Sequence, residues 1–300
     1  MHQTDLIHIG LPKTGTTSLQ ARYAQQSGIR FLGPAPGQQP NLTRAISHAV
    51  LAASDAEFRA ARQTLCAALP EDGTPRVLSN EELTLGRHAK RAQAWTFSAD
   101  PTPVIAAWRL AALFPRAHVL IVLRNQADWL QSYYRQMRRV GMMRTDFVTW
   151  LREALSPGAP GYLDFTLDYS EMVQGYSQFF GPHKVHVYFY EDIASDLDRL
   201  YREVAEKLGL PCDTAPVPHL NRRGGVDPAF RRLLGGVVPL GMIKRRCPVV
   251  FDLAKQLMPQ EKQTPSIPAD QRAAICTHFA ATNNALREML GRDLPSGYLP

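Results

Sequence analysis

Short apolar runs alternate with longer amphipathic stretches along the 300 residues of this chain. Uninterrupted apolar runs are typical of buried strands, whereas apolar residues spaced three or four positions apart are typical of helices. The alternation of the two predicts βαβ units around a parallel sheet. We expect strands at residues 6–9, 30–32, 76–79, 118–123 and 184–190.

The amphipathic stretches between these runs predict helices on both faces of the sheet. They lie at residues 16–27, 42–53, 55–69, 103–114, 127–140, 167–180, 195–208 and 270–290. Gly209 and Gly291 directly follow the last two helices, where a left-handed C-cap is expected. The predicted fold is therefore a three-layer α/β fold, with a central, mostly parallel sheet of about five strands flanked by helices.

Residues 211–268 interrupt this pattern, because they are rich in proline, glycine and basic residues and contain no strand pattern of domain length. Ligands of open α/β sheets bind outside the carboxyl ends of the strands. We therefore interpret this segment as a helical and loop insertion that covers the ligand edge of one domain spanning residues 1–300.

Composition narrows the class of protein further. A hydrophobic share of 45% and a charged share of 20% are ordinary for a globular protein, and no apolar run approaches the length of a membrane span. The four cysteines lack C-x-x-C spacing, which favours reduced thiols in the cytoplasm, and a strand at residue 6 leaves no room for a signal peptide. The net charge of +7 favours anionic ligands. The interleaved aromatic and basic residues of RNA-binding modules are absent, so no nucleic acid partner is expected.

The joint between the first strand and the first helix carries the clearest chemical signal. It reads G-L-P-K-T-G-T-T-S at residues 10–18. Backbone N–H groups at a helix N-terminus, the helix dipole and Lys13 together predict a cradle for phosphate or sulfate. A Walker A loop places its lysine after the second glycine, whereas Lys13 precedes Gly15. The alternative is a plain strand–turn–helix joint with an exposed lysine.

A second candidate anion site follows the strand predicted at residues 118–123. Arg124 ends this strand, and Asn125 is a suitable N-cap for the next helix. Ser132 lies roughly 60° around that helix from Trp129, at the margin of its apolar stripe. Arg124 and Ser132 can thus hold an anion together. Taken singly, Arg124 is more typical of a strand-end arginine paired with a carboxylate, and Ser132 of a serine on a helix flank.

Together the two segments resemble the sulfotransferase family, whose members use 3′-phosphoadenosine 5′-phosphosulfate (PAPS) as sulfuryl donor. The resemblance implies a P-loop-NTPase-like fold and a donor site without metal. It also implies that the first loop binds the 5′-phosphosulfate and that the Arg124–Ser132 pair binds the 3′-phosphate. The runs at residues 283–286 and 291–294 look like bacterial members of the family. The implied donor-binding residues are Pro12, Lys13, Thr14, Gly15, Thr16, Thr17, Ser18, Arg124 and Ser132.

Two further segments complete the expected site. Arg222 and Arg223 resemble, with altered spacing, the basic glycine loop that many family members fold over the 3′-phosphate; a solvated basic loop is the alternative. Glu81 follows the strand at residues 76–79 and is our candidate for the base that deprotonates the acceptor. Glu82 and His88 are the reserve candidates, and the alternative for either carboxylate is a helix-start residue that interacts with the dipole.

The expected activity is transfer of a sulfuryl group from PAPS to an acceptor hydroxyl, with Lys13 and Glu81 as the catalytic residues. The acceptor is expected to be a small molecule or a glycan, such as a carbohydrate or another bacterial metabolite. Two alternatives stay open, a P-loop nucleotide kinase or NTPase, and a non-catalytic anion-binding module that docks through Lys244–Arg246. The arginines after the second motif and a loop at residues 95–97 are candidates for acceptor contacts. The sequence does not indicate an oligomeric state.

Overall fold

A computed structural model describes residues 4–34, 40–70, 72–84, 87–91, 94–98, 102–139, 143, 145–159, 162–213 and 267–300. Within these residues, five strands form a single parallel sheet with the order β2–β3–β1–β6–β7. Its strands are β1 (Asp5–Gly10), β2 (Arg30–Leu32), β3 (Arg76–Ser79), β6 (His118–Leu123) and β7 (Val185–Phe189). The sequence prediction of five parallel strands is confirmed, with shifts of one residue at some strand ends.

The central strands are buried on both faces. Every residue of β1 is buried, and so is β6 after its first residue. A parallel strand covered by helices on both sides needs apolar side chains at nearly every position, and this requirement explains the continuous run at β6. The register pairs His8 with Ser79 on β3 and Gly10 with Val122 on β6.

Helices cover the sheet on two sides and give the three layers that the pattern predicts. They are α1 (Thr16–Gln25), α2 (Pro40–Val50), α3 (Asp55–Ala68), α4 (Pro103–Leu113), α5 (Gln126–Arg139), α6 (Phe147–Ala154), α7 (Asp164–Leu167), α8 (Tyr169–Phe180), α9 (Tyr190–Ile193), α10 (Leu197–Leu208), α11 (Ala269–His278) and α12 (Ala280–Leu290). α1 and α10 pack on one face around Tyr23 and Tyr201. α2, α3, α4, α8 and α12 pack on the other face around Phe58, Tyr176 and Leu286.

Local signals in the sequence set several helix ends. Ser54, Thr102 and Asp168 cap α3, α4 and α8, each by accepting a backbone N–H bond on its side chain. Gly209 and Gly291 end α10 and α12 in the left-handed conformation, as predicted. Among the described residues, no helix is long and apolar enough to cross a membrane.

Two sequence predictions are wrong, and one helix was missed. Residues 95–97 were expected in a loop, but they lie in β5 (Ala94–Ser98), which pairs antiparallel with β4 (Arg87–Arg91). The stretch at residues 270–290 is two helices, because Phe279 leaves the helical conformation while its buried ring keeps the apolar pattern continuous. The helix α6 was not predicted at all, because its eight residues are too few to establish a period.

The predicted insertion falls almost wholly outside the described residues. Residues 214–266 are not described, and Arg222, Arg223 and Lys244–Arg246 lie among them. The single-domain organisation and the role of the insertion therefore stay predictions.

Candidate active site

The loops that follow β1, β3 and β6 meet at the carboxyl edge of the sheet. These strands are neighbours in the order β3–β1–β6 and end at Ser79, Gly10 and Leu123. Parallel strands that end together bring the residues after them to one place, which is where open α/β sheets bind ligands. The cradle, Glu81 and Arg124 are accordingly neighbours in space.

The start of α1 is built to bind an anion. Gly15 precedes the helix with a φ of 80° and provides no side-chain cap, and the first turn contains no acidic residue. The first helical bonds run from the N–H groups of Ser18 and Leu19 to the carbonyl of Gly15. The N–H groups of Thr16 and Thr17 precede these bonds, so they are available to an anion.

Lys13 has a φ of 73°, which is uncommon for a residue with a side chain. Its conformation is fixed by bonds that hold the carbonyls of the loop. The carbonyl of Lys13 accepts a bond of 2.7 Å from Arg124 Nη1, and that of Pro12 accepts one of 2.6 Å from Trp129 Nε1. The buried Thr14 hydroxyl donates to the carbonyl of Leu11 at 2.7 Å. Thr14 can therefore donate to a ligand only through its backbone N–H.

Arg124 joins the second motif to the cradle. Besides its bond to Lys13, its guanidinium lies over the ring of Tyr190, with 4.7 Å from Cζ to the ring centroid. Its carbonyl accepts a bond of 2.6 Å from the hydroxyl of Tyr169. Its Nε atom is buried and has no hydrogen-bond partner within the described part of the chain. Arg124 is thus positioned by one nitrogen and retains donor capacity for a ligand.

The other side chains predicted to bind the donor are those of Ser132, Thr17 and Ser18. Ser132 is partly buried on α5, one helical turn beyond the Trp129 that bonds the loop. Thr17 is exposed and Ser18 is partly buried at the start of α1. All three therefore lie on the two helices that begin at this edge of the sheet.

Glu81 lies directly against the cradle. The hydroxyl of Thr16 donates a hydrogen bond of 2.8 Å to Glu81 Oε2, joining residues 65 positions apart in the chain. The carboxylate is partly buried at the start of a 3-10 turn, Glu81–Thr84. The reserve candidate His88 lies on β4, in a separate two-stranded sheet, and its side chain, like that of Glu82, is outside the described set.

Sequence reasoning took His8 as structural and missed its place behind the cradle. The ring of His8 is fully buried, with Nδ1 at 2.9 Å from Ser79 Oγ, which also accepts a bond from Gln20 Nε2. Burial lowers the pKa of His8 to about 4, so the ring is neutral at physiological pH. Tyr190 was also missed, although its position directly after β7 could have indicated the same edge.

The comparisons with known proteins give the family and the fold of the chain. A model described as the sulfotransferase family matches residues 6–214. A sulfotransferase from Alicyclobacillus acidocaldarius is 17% identical, with a TM-score of 0.59 over 99% of each chain, and shares the fold. The sulfotransferase domain from the curacin biosynthetic pathway is 15% identical, with a TM-score of 0.44 over 98% of this chain and 99% of that one. Retinol dehydratase in complex with retinol and PAP is 14% identical, with a TM-score of 0.38 over 98% of this chain and 83% of that one. The search of curated proteins finds no match.

Proposed function

The chain belongs to the sulfotransferase family, and from this premise we propose that it transfers a sulfuryl group from PAPS to a hydroxyl of a small molecule or a glycan. The proposal rests on one observation: a carboxylate lies beside the start of α1, a helix without a side-chain cap. Glu81 lies 2.8 Å from the Thr16 hydroxyl, at the helix end where an anionic donor is favoured.

The cradle binds the 5′-phosphosulfate of the donor in this proposal. The N–H groups of Thr16 and Thr17, together with the charge of Lys13, compensate the negative charge that grows on the leaving phosphate. Pro12, Thr14, Gly15 and Ser18 shape the loop and the first helical turn around it. The net charge of +7 supports an anionic donor.

Arg124 and Ser132 bind the 3′-phosphate, and Arg222 and Arg223, which lie outside the described residues, are proposed as further donors to the cofactor. Support for the first pair comes from the Arg124 guanidinium, whose buried Nε lacks a partner among the described residues. A donor with two separate anionic groups accounts for two separate basic positions at one edge of the sheet.

Glu81 accepts the proton of the acceptor hydroxyl. The acceptor oxygen forms a bond to sulfur while the bond between sulfur and the bridging phosphate oxygen breaks, leaving 3′,5′-adenosine bisphosphate. Sulfuryl transfer resembles phosphoryl transfer, so positioning and charge compensation supply most of the catalysis. A carbohydrate or another bacterial metabolite is the acceptor class we propose.

The proposal is tested by incubating the protein with labelled PAPS and a panel of hydroxylated acceptors. We expect Lys13→Ala to lower kcat by about a hundredfold or more, because it removes charge compensation from the leaving phosphate. Glu81→Gln is expected to keep bisphosphate binding and to lower transfer by about a hundredfold or more. Glu82→Gln is the matched control, and a loss of transfer in Glu82→Gln or His88→Ala, but not in Glu81→Gln, contradicts the assignment of the base.

A further inference from the structure

The hydroxyl of Thr16 has only one proton to donate. In the structure this proton is directed at Glu81 Oε2, at 2.8 Å. While that bond is present, the same hydroxyl cannot donate to an oxygen of the sulfuryl donor. The resemblance implied that Thr16 binds the donor, and the structure leaves its backbone N–H for that role while its hydroxyl bonds Glu81.

The packing around Thr16 fixes the direction of its hydroxyl. The side chain is 3% exposed. Its methyl group lies above Gly10, so close that a Cβ on Gly10 would be 2.3 Å from Thr16 Cγ2 and 2.8 Å from His8 Nε2. Because Gly10 has no Cβ, the methyl group fits above it. The staggered rotamer that places the methyl group there turns the hydroxyl towards Glu81.

The backbone of Glu81 is held from its other side. The Thr84 hydroxyl donates to the carbonyl of Glu81 at 2.8 Å, and the carbonyl of Thr84 in turn accepts a bond from the Thr166 hydroxyl. Ser79, two residues earlier, bonds His8 and Gln20. The backbone is thus fixed independently of the carboxylate, for which the described residues record the bond from Thr16.

The charge of the Glu81 carboxylate also affects Tyr133 on α5. The negative charge of Glu81 contributes to raising the pKa of Tyr133, although burial of that hydroxyl is the larger cause. The Tyr133 ring stacks on Trp129, with centroids 4.8 Å apart, and Trp129 bonds the carbonyl of Pro12. The charge of Glu81 thus acts on a side chain of α5, the helix whose Trp129 bonds the cradle.

We propose that Thr16 is a positioning residue for the base. Its side-chain hydroxyl fixes the Glu81 carboxylate beside the cradle, while its backbone N–H binds the donor. One carboxylate oxygen is held by Thr16, and the other is left to accept the proton of the acceptor. This inference rests on the proposed function, because it assigns Glu81 as the base.

The test compares Thr16→Val, which replaces the hydroxyl by a methyl of similar shape, with Thr16→Ser, which restores a hydroxyl. We expect Thr16→Val to lower kcat by about 10- to 100-fold, since a misplaced base costs catalysis of that order. The Kd for 3′,5′-adenosine bisphosphate is expected to stay within about threefold, because the backbone N–H remains. Thr16→Ser is expected to recover most of the lost kcat.

Two controls separate positioning from damage to the fold. Thr282→Val removes a hydroxyl that bonds the Phe279 carbonyl far from the cradle, and it is expected to leave kcat unchanged. The double variant Thr16→Val/Glu81→Gln is expected to be no slower than Glu81→Gln, because the two residues act as one unit. Bisphosphate binding by Thr16→Val shows that the cradle is folded. If the valine variant is insoluble, Thr16→Ala is used in its place.

The inference is overturned by either of two results. One is a tenfold or greater loss of bisphosphate affinity in Thr16→Val with kcat retained at saturating PAPS, which would place the hydroxyl on the donor. The other is a double variant whose loss is the product of the single losses. Absence of PAPS-dependent transfer in the unaltered protein is a different outcome, because it contradicts the proposed function itself.

Discussion

His8 is a titratable group enclosed by the sheet. It is fully buried on β1, and Nε2 has no hydrogen-bond partner within the described residues. The sequence shows a histidine inside a strand, which indicates burial but not its neighbours. Its contacts with Ser79, and the bond from Thr16 to Glu81, join residues 71 and 65 positions apart, so no local pattern could predict them.

The buried imidazole predicts a loss of stability in acid. The unfolded chain binds a proton at His8 near pH 6.5, whereas the folded protein does so only near pH 4. Between these values the unfolded state binds more protons, so the free energy of unfolding falls as the pH is lowered. The contribution of His8 to this fall is about 2 kcal/mol between pH 7 and pH 5.

Urea unfolding of the protein and of His8→Asn at the two pH values measures this contribution. Asparagine keeps a polar group near Ser79 but does not titrate, so the variant is expected to lose less stability between pH 7 and pH 5. Equal losses in the two proteins would show that His8 does not contribute.

At the scale of elements, a buried ion pair joins β1 to β3 at their amino ends. Arg76 Nε and Nη2 each donate a bond of 2.7 Å to an oxygen of Asp5, and both side chains are buried. Asp5→Ala is expected to lower the free energy of unfolding by about 3–5 kcal/mol, because the arginine charge is left buried and unpaired. Guanidinium unfolding measures the change.

The double variant Asp5→Ala/Arg76→Met is the control for this pair. When both charges are removed, no unpaired charge is left buried, so much of the lost stability is expected to return. A double variant that is less stable than Asp5→Ala would contradict the explanation.

The segment after α12 stabilises the junction that carries Arg124. The carbonyl of Gly297 accepts a bond of 2.7 Å from Asn125 Nδ2. The Tyr298 hydroxyl donates to Glu191, whose other oxygen accepts the backbone N–H of Asn125. The segment after α12 therefore stabilises the start of α5 through these hydrogen bonds.

Tyr298→Phe tests this stabilisation, because it removes the hydroxyl that bonds Glu191. It is expected to lower the free energy of unfolding by about 1–3 kcal/mol, since a partly buried carboxylate loses a hydrogen bond. Tyr23→Phe is the matched control, because the buried Tyr23 hydroxyl has no partner in the described part of the chain and its removal is expected to cost little. Equal changes in thermal unfolding would contradict the role assigned to Tyr298.

For the whole molecule, the sequence predicted the layers, the strands and the edge at which the segments of residues 10–18 and 124–132 meet. These follow from strand burial and from the rule that parallel strands end together. The hairpin of β4 and β5 was missed because β4 is mostly basic and shows no apolar face, although Trp95 and Phe97 alternate with hydroxyl residues in β5. The pairing of Thr16 with Glu81 was missed because it arises from tertiary packing around Gly10.

The central claim is that one edge of the sheet binds a donor with two anionic ends. Calorimetric titration with 3′,5′-adenosine bisphosphate and with adenosine 5′-monophosphate tests it directly, in the protein and in Arg124→Ala. We expect the bisphosphate to bind at least about tenfold more tightly than the monophosphate, and Arg124→Ala to abolish this preference. The claim is contradicted if the two nucleotides bind equally well and Arg124→Ala changes neither affinity, or if ATP–Mg, titrated in parallel, binds tightly while the bisphosphate does not bind.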